Sequence, residues 1–187
     1  MDERTIHNPV TGERATFIET ARESAGARSV FEVETAPGGG VFLHRHGIHE
    51  ERIEVLDGEI EVTARGITRR VQAGEHVVIE PGEVHTWRNP SADRPLRFRA
   101  MMIPGHPGFE TGLRVVFGLG RDGGLRPSGI PRRFTDLAVL SDWDPSLMAV
   151  GARRLLAPLM RWSARRARAR RRAAELLHRY GGDPSIQ

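Results

Sequence analysis

The chain has 187 residues, 39% hydrophobic and 28% charged, which excludes a disordered polypeptide and fits one globular domain, alone or with an appendage. It has no cysteine, so disulfides, thiolate metal sites and a cysteine nucleophile are excluded. The net charge of +4 hides a polarity: residues 1–107 hold 13 Arg against 17 Asp and Glu, and residues 108–187 hold 15 Arg against 7.

An acidic first part and a basic second part suggest two organisational units, 1–107 and 108–187. Lysine is absent, which reads as the coding bias of a GC-rich, bacterial-type genome rather than as function. The opening "MDERTIHNPV" has no apolar run, so no secretory signal is expected there. No stretch approaches the ~20 uninterrupted apolar residues of a spanning helix. The best candidate, "LMAVGARRLLAPLM", is split by Arg153 and Arg154. A cytoplasmic location is the default expectation.

From residue 14 to about 103 the pattern is that of β-strands. "SVFEVETA" alternates, with Phe31 and Val33 on one face and Glu32 and Glu34 on the other. After the turn "GGG", "VFLHRH" puts Phe42, His44 and His46 on one face. "ERIEVLDGEIEVTARG" reads as two strands joined by a hairpin at Asp57-Gly58, with Glu51, Ile53 and Val55 in phase. "ITRRVQAGEHVVIEPGEVHTWRN" reads as a further pair with turns at Ala73-Gly74 and Pro81-Gly82, and "RPLRFRAMMIP" as one more strand. Short strands with regular turns predict an all-β sandwich or barrel.

Beyond residue 107 the period changes. "GFETGLRVVFGLGRDGG" spaces Phe109, Leu113, Val116 and Phe117 as a helix does, weakened by Gly112 and Gly118. "PRRFTDLAVLSDW" opens with Pro131, suited to a first helical turn. Asp144 before Pro145 reads as the N-cap of a long helix ending at Gly181-Gly182 and kinked at Pro158. No internal repeat is visible.

His44 and His46 project the same way from one strand, Glu51 follows after a short loop, and His85 comes after a Pro-Gly turn. Three imidazoles and a carboxylate suit a divalent transition metal such as Fe, Mn, Ni, Zn or Cu, and on an octahedral ion they leave two positions open. Buried without a metal, such groups are costly.

"GGGVFLHRHGIHEERIEVLDG" resembles the first motif of the cupin superfamily, with Gly38, His44, His46, Glu51 and Gly58 in place. "GEHVVIEPGEVHTWRN" resembles the second, with Gly74, Pro81-Gly82, His85 and Asn89. Glu80 departs from it, standing where the family usually has proline. The resemblance covers roughly residues 25 to 104. It implies a mainly β fold, a double-stranded β-helix (cupin or jelly-roll barrel) at 1–107 followed by C-terminal α-helices at 108–187. It also implies His44, His46, Glu51 and His85 as metal ligands, and a homodimer.

His49 could be an acid or base at the rim of the site; an exposed loop histidine is the favoured alternative. Glu50 competes with Glu51, but only Glu51 is in phase with Ile53 and Val55. His7, His76, His106 and His178 read as surface residues. Trp87 shares a face with His85 and Asn89. With Phe31, Val33, Phe42, Ile53 and Val55 it would wall an apolar pocket for a small molecule, or simply pack the core.

Residues 152–181 hold ten arginines around a seam of Leu155, Leu159, Trp162, Ala169, Ala173, Leu176 and Tyr180. This amphipathic helix has three readings: packing on the barrel or a partner subunit, peripheral contact of residues 153–180 with an anionic membrane, or binding to nucleic acid phosphates. Packing ranks first and nucleic acid last, for no recognised nucleic-acid module accompanies it. The leading functional expectation is a metal-dependent enzyme on a small organic molecule, dioxygenase-type first and isomerase or decarboxylase next. The alternative is a non-catalytic binding or sensor cupin docked through its basic helix.

Overall fold

The computed structural model describes residues 4–144 and 167–181. Among these residues, ten strands and three helices follow in chain order. The strands are β1 (Thr5–Asn8), β2 (Glu13–Glu19), β3 (Ser29–Thr35), β4 (Gly40–His44), β5 (Glu50–Asp57), β6 (Glu59–Ala64), β7 (Ile67–Gln72), β8 (His76–Ile79), β9 (His85–Arg88) and β10 (Leu96–Ile103). The helices are α1 (Pro107–Arg121), α2 (Phe134–Trp143) and α3 (Ala167–Tyr180).

The strands form two antiparallel sheets, ordered β1-β2-β3-β10-β5-β8 and β4-β9-β6-β7. Alternation along β2, β5, β6, β9 and β10 builds the core between them. In β5, Glu51, Ile53 and Val55 are buried while Arg52 and Glu54 face out. Phe17, Phe31, Ile53, Ile60, Val62, Leu96 and Phe98 fill the interior as one cluster. Each such side chain contributes about 1.5–3 kcal/mol by leaving water. This is the jelly-roll arrangement expected of the motifs.

Three readings of the strands need correction. Asp57-Gly58 is a corner between sheets, not a hairpin: β5 pairs with β10 and β8, whereas β6 pairs with β7 and β9. Gly58 has φ +87°, and a Cβ there would lie 3.2 Å from the Pro95 carbonyl oxygen. The two-residue hairpin joins β6 to β7, with Arg65 at φ +52° and Gly66 at +76°. Both central residues have positive φ, as a type I′ turn requires, and arginine at that position conceals it. The stretch 67–89 holds three strands rather than two, and β1 precedes the expected start of the barrel.

In α1, His106 caps the N-terminus by accepting a hydrogen bond from Phe109 N at Nδ1, 3.1 Å. Of the two glycines that weaken its helical pattern, Gly118 is a packing position, as is Gly120 beyond it. A Cβ on Gly118 would overlap the Tyr180 ring, and one on Gly120 the Asn8 side chain. Phe117 enters the barrel core, with Phe109, Leu113 and Val116 packed against it.

Pro131 does not open α2. It pairs with Leu125 in an isolated bridge, and the helix begins three residues later. Asp144 closes α2, and its N–H donates to Leu140 O, 3.0 Å; its expected part as the N-cap of a following helix falls on residues outside the described ones. The helix expected over 145–166, its kink at Pro158, and Leu155, Leu159 and Trp162 of the seam lie outside the described residues.

Along α3, Leu176 and Leu177 are buried against Val115, Leu119, Val139, Leu140 and Trp143, with Ala173 and Tyr180 beside them. Leu177 was not on the expected seam. Arg172 grips the buried Asp136 with Nε and Nη2, 2.7 and 3.2 Å. Arg179 and the Tyr180 hydroxyl meet Asp122, at 2.7 and 2.8 Å. The described part of the basic helix thus packs on α1 and α2 of its own chain. No helix among the described residues is long and apolar enough to cross a membrane.

Candidate metal centre

His44 ends β4, His85 opens β9, Glu51 stands on β5, and His46 lies in the loop between β4 and β5. The register pairs His44 with His85, which brings the two motifs face to face. The four offered ligand atoms all lie within 4.8 Å of one another. All four residues are buried: His85 is 0% exposed, His46 5%, Glu51 6% and His44 7%.

Backbone carbonyls aim the imidazoles. His44 Nδ1 lies 2.9 Å from Phe42 O, and His85 Nδ1 lies 3.0 Å from Glu83 O. If each Nδ1 carries the proton and donates it, each Nε2 lone pair points into the cluster. Glu51 Oε2 lies 3.0 Å from His85 Nε2 and 3.3 Å from His46 Nε2.

Electrostatics separate the four groups. Burial, with His85 and His46 adjacent, pushes His44 down to about 3, so it is a neutral donor near pH 7. Burial alone would push Glu51 up, but the His46 and His85 nitrogens at its oxygen outweigh burial and hold it below the usual carboxylate range. Burial lowers His85, yet Glu51 beside it wins and raises it. Glu51 Oε2 and His85 Nε2 are nonetheless buried without a well-directed hydrogen bond among the described residues. Inward nitrogens, an ionised carboxylate and unsatisfied buried atoms fit a divalent transition metal. The cluster could hold such an ion; nothing in the geometry selects which.

A cavity of about 250 Å³ adjoins the cluster and meets it through His44, His46 and Glu51. Phe31, Val33, Phe42 and Trp87 lie on its wall. Ile53 and Val55 do not. They are buried in the barrel core, on a strand between β10 and β8, whereas the cavity follows β2, β3 and β10 beneath α1 and α2. The roof is the largest omission from the sequence reading. Phe109, Leu113, Val116 and Phe117 of α1 and Leu137 and Leu140 of α2 line the cavity. Their helical spacing was legible, but not the surface they cover.

His49 is not an exposed loop residue. It is 1% exposed, and its Nδ1 lies 2.8 Å from Pro104 O. Burial lowers its pKa. Its ring centre is 6.2 Å from that of His46, and it is not on the cavity wall. Glu50 pairs with Arg52 on the outer face. His106 is the cap of α1 rather than a free surface histidine. Glu13 was also missed: it lines the cavity and is 8% exposed. Burial pushes it up to about 7, against a hydrogen bond from Thr11 Oγ1 that lowers it.

The family described as Cupin domain matches residues 31–104. Among solved structures, an RmlC-like cupin from Shewanella frigidimarina is 18% identical, with a TM-score of 0.49 over 58% of this chain and 92% of that one. A predicted oxalate decarboxylase from Thermotoga maritima is 25% identical, with a TM-score of 0.46 over 49% and 80% of the two chains. A cupin-2 domain from Rhodospirillum rubrum is 23% identical, with a TM-score of 0.44 over 49% and 60%. No curated protein matches the chain.

Proposed function

We propose, from the premise that the barrel of this chain belongs to the cupin family, that the protein is a metal-dependent enzyme acting on a small, largely apolar organic molecule. One observation carries the reading: three imidazoles and a carboxylate converge at one end of an apolar cavity. In this reading His44, His46, Glu51 and His85 hold the metal. The ion would supply Lewis acidity or a redox centre at its open positions. The chain's own residues do the rest. Phe42 O and Glu83 O fix the imidazole orientations, and Phe31, Val33, Trp87, Phe109 and Leu113 exclude water and hold the substrate body. His49, behind His46, supports the loop through Pro104 O.

Oxygenase chemistry is the first choice, and isomerase or decarboxylase chemistry follows. Oxygen uptake by the Fe(II)-loaded protein, screened against enols and thiols, tests it. Substrate-dependent uptake supports the oxygenase, and its absence with every substrate removes that choice. A homodimer in the cytoplasm belongs to the same reading, and light scattering checks the mass.

A non-catalytic binding or sensor cupin is the second reading. It is favoured by the scarcity of acid–base groups: among the described residues, the titratable ones on the cavity wall are Glu13, His44, His46 and Glu51. Three of these are the proposed ligands, and Glu13 stands far from them.

A further inference from the structure

The cavity has two polar ends. Glu51 on β5 pairs with Met102 on β10, which pairs with Ser29 at the start of β3. Glu13 on β2 pairs with Thr35 at the end of β3. Six residues of extended strand separate the two levels, about 20 Å. Helix α1 gives a second ruler. The ring of Phe109, near its start, lies 5.5 Å from that of His46. Gly120, near its end, presses on Asn8. The helix rises about 16 Å from Phe109 to Gly120. Both measures agree that one slot runs beneath α1 from the metal cluster to the β1–β2 hairpin.

Between its ends the slot is walled mainly by aliphatic and aromatic side chains. At the far end stand Asn8, Thr11 and Glu13. The Asn8 Oδ1 already accepts from Val10 N, 3.1 Å. Glu13 accepts from the Thr11 hydroxyl, and among the described residues no arginine pairs with it. A carboxyl buried with one hydroxyl donor is expensive, because most of its hydrogen-bonding capacity is unmet. Such a group is retained where a ligand completes it.

We propose that the slot takes an elongated apolar molecule whose head lies at the His44–His46–Glu51 end and whose tail carries a hydrogen-bond donor, a hydroxyl or an amine, received by Glu13. This rests on the reading of the cluster as the reactive end and adds the substrate class and a specificity-determining residue. A protonation midpoint of about 7 lets Glu13 act in either form near neutral pH. The carboxylate receives an ammonium or hydroxyl, and the acid still accepts through its carbonyl oxygen.

Calorimetric titration of the protein with its metal bound tests this with dodecanoic, 12-hydroxydodecanoic and 12-aminododecanoic acids. The chain of a dozen carbons spans most of the slot. The wild type is expected to bind the hydroxy and amino probes about 10-fold or more tighter than the plain acid. Glu13→Leu is expected to reverse that order, with the plain acid binding best. Glu13→Gln is expected to keep the hydroxyl preference and lose the amine preference, and it serves if Glu13→Leu does not fold. No tail preference in the wild type, the same preference in Glu13→Leu or, where only Glu13→Gln folds, an amine preference retained in Glu13→Gln, or no binding of any probe would overturn the proposal. The three probes share one head. Failure of the metal end therefore weakens all three alike, whereas failure of the tail site erases only the differences between them.

Discussion

Two buried glutamates stand at opposite ends of one cavity, and their carboxyls move in opposite directions. Burial pushes both up. At Glu51 the imidazoles of His46 and His85 overcome it and keep the carboxylate ionised. At Glu13 only the Thr11 hydroxyl opposes it, and the group rises to about 7. Burial alone therefore does not decide what a carboxylate in a barrel can do. Its neighbours do: the imidazoles beside Glu51 favour the carboxylate, the form a metal would need, and a lone hydroxyl leaves Glu13 able to give or take a proton.

The largest expected effect separates the two residues outright. Glu51→Leu should reduce bound metal from about one ion per chain to background, because an anionic ligand is lost, while Glu13→Leu should leave metal content unchanged. Elemental analysis of both variants checks this. Equal loss in the two would mean that the cavity acts as one electrostatic unit.

The next effect concerns pH. Glu13 rises from an ordinary 4.5 to about 7, so the folded state holds its proton more tightly than the unfolded chain. That contribution is fully present below pH 4.5 and is lost as pH rises through 7. It amounts to about 3 kcal/mol. Denaturant unfolding of metal-free protein between pH 5 and pH 8 should show this loss as the difference between the wild type and Glu13→Gln, because the lowered His44 pulls the other way equally in both. The same slope in both would remove the asymmetry.

Metal removal probes the other end. With free metal at about 100 times its dissociation constant, chelation should cost about 3 kcal/mol and lower Tm by about 5–10 °C. Scanning calorimetry of Glu13→Gln should show the same drop as the wild type. The smallest effect is that of Thr11→Val, which removes the one hydrogen bond holding Glu13 down. It should raise the Glu13 midpoint further, by an amount worth about 1 kcal/mol, readable by carboxyl NMR titration.

The His44–His46–Glu51–His85 end was legible in the sequence because short motifs mark each of its parts. His44 and His46 share a spacing, Glu51 is in phase with Ile53 and Val55, and a Pro-Gly turn sets His85 at the start of β9. The far end was not legible, because it is assembled from distant parts. Glu13 lies on β2, the strand partner that sets its level is on β3, and the roof above comes from α1 and α2. No short motif marks such a place. Asp57-Gly58 misled for a related reason: a glycine at positive φ serves a corner between sheets as well as a hairpin, and only strand pairing separates them. His49 misled through its loop position, which says nothing of the α1 cap that closes over it.

The central claim is that His44, His46, Glu51 and His85 hold a metal ion. The most direct test is elemental analysis of protein purified without added metal, wild type beside His85→Ala, with folding of both confirmed by circular dichroism. The account predicts about one transition-metal ion per wild-type chain and a near-complete loss in His85→Ala. A wild type that holds no more metal than the folded variant would contradict it.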